Sequence, residues 1–262
     1  MRRKAAKAVS RFLRKIRGKS GVKPPRSTTI VGVGSGDFER IGQKHKNYFI
    51  ELGGLMPEHT VLDVGCGVGR MAIPLTKYLS GESEYQGFDI VKSGIEWCQK
   101  NISNEFENFH FQHSDVYNKL YNPNGKTLAR DYRFPFNEGT FDFVFLTSVF
   151  THMLPADLEN YMSEISRVLK PGGKCLITFF LLNEESERLI NSGKSKLDFK
   201  YEIEGCLTTD DDKPEAAVAY PIDTARNYFD RYGLEIDTPI HYGSWCSRDS
   251  YVAYQDMVIA TK

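Results

Sequence analysis

The ten residues VLDVGCGVGR, Val61 to Arg70, decide how this chain is read. An apolar strand-like lead runs into glycines at 65, 67 and 69, and MAIPLTKYL follows directly. A hydrophobic strand, a bend whose missing side chains let the main chain approach a ligand, and a helix that starts at once make a nucleotide-type binding turn. Such a turn needs a partner: an acidic residue closing the next strand, about 20 residues on, to hold ribose hydroxyls. EYQGFD closes on Asp89, 24 residues after Gly65. A second glycine cluster, IVGVGSGDF at 30–38, has no such partner, because ELGGLMPEH stands where the strand should be. Its GSGDF, residues 34–38, reads as a mobile entrance segment leading into a charged stretch, with Phe38 a candidate cover for a bound ligand.

Outward from residue 60 the pattern alternates. Strand candidates are 60–65, 84–90, 109–115, 141–148 and 173–180, with helix-like stretches at 70–80, 92–104 and 155–169 between them. That rhythm predicts an α/β fold, doubly wound, with a mainly parallel sheet covered by helices on both faces. Residues 116–140 interrupt it with Asn-Pro-Asn-Gly and Phe-Pro-Phe, the chemistry of an elaborated connection. A helix is expected near 184–192 and another at 223–232, ended by Gly233. LEIDTPIHY and YVAYQDMVIA then read as a closing antiparallel pair. The polar stretch 193–222, with Asp210, Asp211 and Asp212, reads as a lid or surface excursion. The division expected is an arm, 1–26, and one domain, 27–262.

The 262 residues carry 34 basic and 34 acidic side chains, but unevenly. Residues 1–26 hold eleven Lys or Arg and no acid, leaving 23 basic against 34 acidic side chains in the body. Ala5, Ala8, Val9, Phe12, Leu13 and Ile16 fall on one side of a helix in the arm, opposite the cations. Three readings stay open: a helix that lies on an anionic membrane surface or acidic partner, a solvated tail, or a transit peptide. The arm lacks the apolar core of a secretory signal, and no run approaches the roughly 20 apolar residues that span a bilayer. Five scattered cysteines without CxxC spacing argue against a disulfide framework or zinc site. A cytoplasmic protein, peripheral at a membrane if the arm binds one, is the expectation.

The obvious ligand of a glycine turn is a dinucleotide, whose pattern is G-x-G-x-x-G. Here the spacing is G-x-G-x-G followed by Arg70, and Asp63 stands two residues before the first glycine. A diphosphate does not want that carboxylate; a ligand bearing an amino group does. With these residues the segment resembles the first motif of the class I S-adenosylmethionine-dependent methyltransferases. The resemblance continues in order through FDI (88–90), SDV (114–116), FDFVFLTSVFTHM (141–153) and ISRVLKPGGKCLITFF (165–180), and covers about residues 40–182. It is closest to the small-molecule branch.

The resemblance implies a seven-stranded sheet of order 3-2-1-4-5-7-6 with the seventh strand antiparallel, and S-adenosylmethionine as cofactor. It implies that Gly65, Gly67 and Gly69 let the backbone pass close to that cofactor. Asp63 would order the turn or hold the amino group through water. Asp89 would accept the ribose hydroxyls with Ile90 beside the adenine, Asp115 would accept the adenine amino group, and the Val116 amide would serve a ring nitrogen. Thr147 would face the methionine part. Plainer roles exist for each: glycines permit tight turns, and a carboxylate at a strand end can cap the next helix.

In methyl transfer to a hydroxyl, a base helps to remove the proton. His152, in SVFTHM after the fourth strand, is the candidate, since imidazole titrates near neutrality; it can equally pin the turn. His110 and His113, three apart on a strand, point to opposite faces, so no metal site is expected. The function expected is methyl transfer to a small molecule, at oxygen, with a sugar or glycan-linked hydroxyl as one acceptor. The variable regions 34–48, 117–136, 193–222 and 242–245 are the expected lining of the acceptor pocket. The alternatives are a nucleic-acid methyltransferase using the basic arm, against which the acidic body speaks, and a non-catalytic cofactor-binding protein.

Overall fold

The computed structural model describes residues 37–262. The basic arm and the glycines of the second cluster therefore lie outside the described residues. Seven strands form the main sheet: β1 Val61–Val64, β2 Tyr85–Asp89, β3 Phe109–His113, β4 Phe141–Leu146, β5 Leu169–Phe179, and the closing pair β10 Glu235–Ile236 and β11 Asp256–Thr261. Their spatial order is β3-β2-β1-β4-β5-β11-β10. The first five run parallel, and β11 is antiparallel to both of its neighbours. This is the doubly wound order expected, with the seventh sheet strand reversed.

Strand alternation sorts side chains onto two faces. Leu62, Val64, Phe88, Val144 and Leu146 face one core, closed by α4 (Pro155–Val168) and α6 (Ile222–Arg231). Val61, Tyr85, Phe143, Phe145 and Leu176 face the other, closed by α1 (Phe38–Glu51), α2 (Ala72–Leu75) and α3 (Lys92–Cys98). The central strands β1 and β4 are buried on both faces, which is why they read as near-continuous apolar runs, whereas the edge strand β3 alternates buried and exposed residues.

Helix α1 takes in the described end of the GSGDF segment, Asp37 and Phe38, which serve as its cap and first residue rather than as a mobile entrance. Asp37 caps the helix, accepting a hydrogen bond from the Arg40 amide, and Phe49 is fully buried against Phe143 and Phe145. Gly42 sits where a Cβ would lie 2.4 Å from the Arg70 carbonyl oxygen, so the helix packs directly on the glycine turn.

Residues 193–222 carry structure of their own. Strands β7 (Tyr201–Ile203), β8 (Cys206–Thr208) and β9 (Val218–Pro221) join β6 (Leu181–Leu182), which follows β5, in a second sheet of order β6-β9-β8-β7. Helix α5 (Glu184–Asn191) has a capping box on Asn183 and Ser186. A small core of Phe180, Leu182, Phe199, Ala219 and Trp245 ties this sheet to the chain before β11. The segment 116–140 is irregular, held by isolated bridges from Val116 to Thr127 and Asn118 to Asn122.

Candidate active site

A cavity of about 930 Å³ opens across the C-terminal ends of β1, β2 and β4, where ligands bind in open α/β sheets. The turn after β1 forms its floor. Gly65 and Gly67 have φ of 79° and 55°, in the left-handed region that favours glycine. A Cβ on Gly65 would lie 2.5 Å from Val149, so only bare backbone fits between the turn and the loop after β4.

Asp89 closes β2 and holds the turn. Its two carboxylate oxygens accept from the Gly67 and Val91 amides, each at 2.7 Å. A carboxylate has about four acceptor sites, so each oxygen keeps capacity for a hydroxyl donor in the cavity. Burial pushes its pKa up, against the pull of those two amides. Ile90 and Val116 flank it on the cavity wall, and Thr147 and His152 come from the chain after β4.

Three of the expected contacts stand elsewhere. Asp63 alternates with Val64 on β1, so while Val64 lines the cavity, Asp63 faces the other core. One carboxyl oxygen accepts from the Tyr85 hydroxyl, and the other is buried without a partner among the described residues. Burial, with Asp89 nearby, pushes its pKa up to about 8. Asp115 lies off the wall and exposed, its carboxylate 3.8 Å from Lys126. Gly69 is also off the wall, packed under Ile102 and Cys98.

His152 sits in a turn that follows β4. Its Nδ1 lies 2.9 Å from the Glu215 carbonyl oxygen. A carbonyl only accepts, so this bond places the proton on Nδ1 and leaves Nε2 as the acceptor of the neutral ring. Burial lowers its pKa below the ordinary histidine value, opposed by backbone hydrogen bonds at Glu215 and Ala216. Tyr121 meets its ring edge-on, and Asp157, Tyr161 and Glu215 complete this polar end of the cavity. The histidines of the third strand are engaged singly, His110 with Glu84 and His113 with the Ile90 carbonyl.

Arg40, Lys44, His45 and Tyr48 arrive on α1, within the stretch 34–48 expected to border the acceptor, whereas Tyr251–Gln255, on the loop before β11, escaped the sequence reading. Arg70 lines the cavity with its guanidinium over the Phe38 ring and one nitrogen, Nη2, buried without a hydrogen-bond partner among the described residues. The helix itself had a signal: Asp37 at the cap, then Phe38, Ile41, Phe49 and Leu52 at helical spacing.

Glycine turn, carboxylate and cavity together define a doubly wound protein that binds a nucleoside-type cofactor. The family is shown by comparison: the methyltransferase-domain family profile matches residues 55–217. The chain belongs to the class I S-adenosylmethionine-dependent methyltransferases.

The sterol 24-C-methyltransferase of Gibberella zeae is 30% identical over 143 residues, 52% of this chain and 31% of that protein. The ubiquinone/menaquinone biosynthesis C-methyltransferase of Wigglesworthia glossinidia is 27% identical over 52% of this chain and 48% of its own. A tRNA N(3)-cytidine methyltransferase of Bos taurus is 27% identical over 48% and 31%. The chain thus spans 31% to 48% of these relatives' lengths. Among solved structures, a protein of Pyrococcus horikoshii shares the fold with a TM-score of 0.60 at 18% identity, covering 90% of this chain and 96% of that one. Magnesium protoporphyrin IX methyltransferase of Synechocystis, solved with its bound cofactor, gives 0.51 at 15% identity, covering 88% of each chain. No helix among the described residues is long and apolar enough to cross a membrane.

The residues present fit the cofactor. Bare glycine backbone, a strand-end carboxylate with open acceptor sites and a guanidinium with one nitrogen unpartnered among the described residues suit a ligand with a ribose at one end and a carboxylate at the other. The volume is near the upper end of the roughly 300–1,000 Å³ usual for small-molecule sites, which leaves room for a second molecule.

Proposed function

We propose that the protein methylates a hydroxyl oxygen of a small-molecule acceptor, with His152 as the base. S-adenosylmethionine supplies an electrophilic methyl group on its sulfonium sulfur. Asp89 accepts the ribose hydroxyls, Ile90 and Val116 border the adenine, and Gly65 and Gly67 offer backbone. Thr147 faces the methionine part, and Arg70 balances its carboxylate. Asp63, Gly69 and Asp115 act as supports of the turn and the third-strand loop rather than as contacts.

The observation that carries this reading is the Nδ1 bond of His152 to the Glu215 carbonyl. It orients the ring and supports Nε2 as the atom that takes the acceptor's proton. Holding the hydroxyl in line with the methyl supplies most of the remaining rate gain. Asp157, Glu215, Tyr121 and Tyr161 give this end of the cavity the hydrogen-bonding groups that a sugar or glycan-linked hydroxyl would engage. Residues 193–222 act as a lid, since Glu215 reaches His152 from that segment. An anionic membrane surface is the proposed partner of the basic arm, and the protein is then peripheral to it.

The test is His152→Ala. Turnover should fall roughly 10²- to 10⁴-fold while cofactor affinity, read by calorimetry, stays unchanged; unaltered turnover rejects the base. Mass spectrometry of the product decides the atom, and methyl label on carbon or nitrogen overturns the oxygen assignment.

A further inference from the structure

The described residues include seven exposed large apolar side chains: Met56, Tyr117, Leu120, Leu128, Tyr251, Val252 and Tyr254. Five of them line the mouth of the one cavity described above, and Leu120 sits in the same loop as Tyr117. They come from two distant parts of the chain, the irregular connection after β3 and the loop before β11. Scattered apolar residues on a surface are ordinary, but convergence of nearly all of them on one rim is not. Tyr251, at 59% exposure, is the most open of the set.

Charge points the same way. The body has more acidic than basic side chains, yet exposed Arg40, Lys44 and Arg130 stand on this rim. Arg40 lies 3.9 Å from Asp37, a long and solvent-exposed pairing. Helix α1 begins beside the mouth, since Phe38 lies against Arg70 and Arg40 lines the cavity.

We propose that the mouth of the cavity docks on an anionic lipid surface, with the Tyr251–Tyr254 and Tyr117–Leu128 loops in the headgroup layer and Arg40, Lys44 and Arg130 on lipid phosphates. Tyrosine suits that layer, with an apolar ring and a polar tip. Cations beside an anionic leaflet add attraction that falls off within a Debye length. The docking rests on the proposed function only for its purpose: an amphiphilic acceptor would enter from the bilayer with its hydroxylated head toward His152. A free protein partner would not require both the cations and the tyrosine belt at one rim.

The experiment uses the full chain with phosphatidylcholine vesicles and with vesicles containing phosphatidylglycerol. Co-sedimentation is expected with the anionic vesicles and not with the neutral ones. The triple variant Leu128→Ser, Tyr251→Ser, Tyr254→Ser, with an unchanged unfolding midpoint, should bind roughly tenfold more weakly. In a separate Tyr251→Trp protein, the fluorescence should be quenched by brominated lipid in the anionic vesicles. Wild-type affinity in the triple variant, or no quenching at position 251, overturns the proposal and leaves any binding to the arm alone. None of these readouts needs turnover, so failure of docking and failure of the methyl-transfer reading are told apart.

Discussion

His152 and Asp63 are two buried titratable groups displaced in opposite directions. Burial lowers the pKa of His152 because the charged imidazolium is the form that loses hydration. As a base it must be neutral, so kcat/KM should rise through an apparent pKa below 6.5 and stay level at higher pH. The acid limb of the profile should be lost in His152→Gln. For Asp63, burial raises the pKa from 3.8 to about 8. The unfolded state then sheds this proton near pH 4 while the folded state keeps it, so stability falls as pH rises from about 4 to about 8. Asp63→Asn keeps an acceptor for the Tyr85 hydroxyl and removes the titration. It should flatten that decline by a few kcal/mol between pH 5 and 8, read by urea unfolding at each pH. An unchanged slope would place the pH dependence on another group.

At the scale of elements, α1 shows what packing adds to a sequence reading. Its charged stretch reads as a border of the acceptor pocket, with only Asp37 and Phe38 at its start read as part of a mobile entrance. The buried stripe at Phe49 and the tight seat of Gly42 on Arg70 make it a wall of the cavity. Glycine to alanine inside a helix ordinarily stabilises by about 1 kcal/mol. At Gly42 the new methyl meets backbone that cannot turn aside, so Gly42→Ala should instead cost about 1–3 kcal/mol. Thermal unfolding checks the sign; a gain in stability would show that α1 and the turn separate freely. The five parallel strands were the most legible elements, because the central ones, buried on both faces, leave apolar runs and the edge strand β3 leaves a plain alternation. The short strands of the second sheet left no such mark: β7 and β8 have three residues each and expose part of their side chains.

At the scale of the whole molecule, a buried ion pair, Asp256 with Arg248, adds to the apolar packing that joins the two sheets. The Asp256 carboxylate opens β11 and accepts from the Leu181 and Gly243 amides, the Trp245 indole and Arg248. Arg248 in turn reaches Glu185 and Asn183 near α5. The knot pins the loop that brings Ser244 and Tyr251–Gln255 to the cavity. Asp256→Ala takes from the buried Arg248 guanidinium its buried carboxylate, leaving it Glu185, and strips the indole and two amides of their acceptor, and should cost about 3–5 kcal/mol in denaturant unfolding. A loss under 1 kcal/mol would mean that the loop is held without this knot.

By itself the sequence determined the sheet and its cofactor turn, since both are local: apolar runs, glycines at 65, 67 and 69, and Asp89 at a set distance. The position of His152 after the fourth strand was legible for the same reason. Tertiary structure alone decided which side chains share the cavity. It turned Asp63 to the opposite face of β1, left Asp115 in solvent, and brought Glu215 to His152 and the Tyr251 loop to the rim across long stretches of chain. Spacing along a chain reports neighbours within a strand, a helix or a turn. Contacts between distant segments depend on how their buried faces pack, and no local pattern records that.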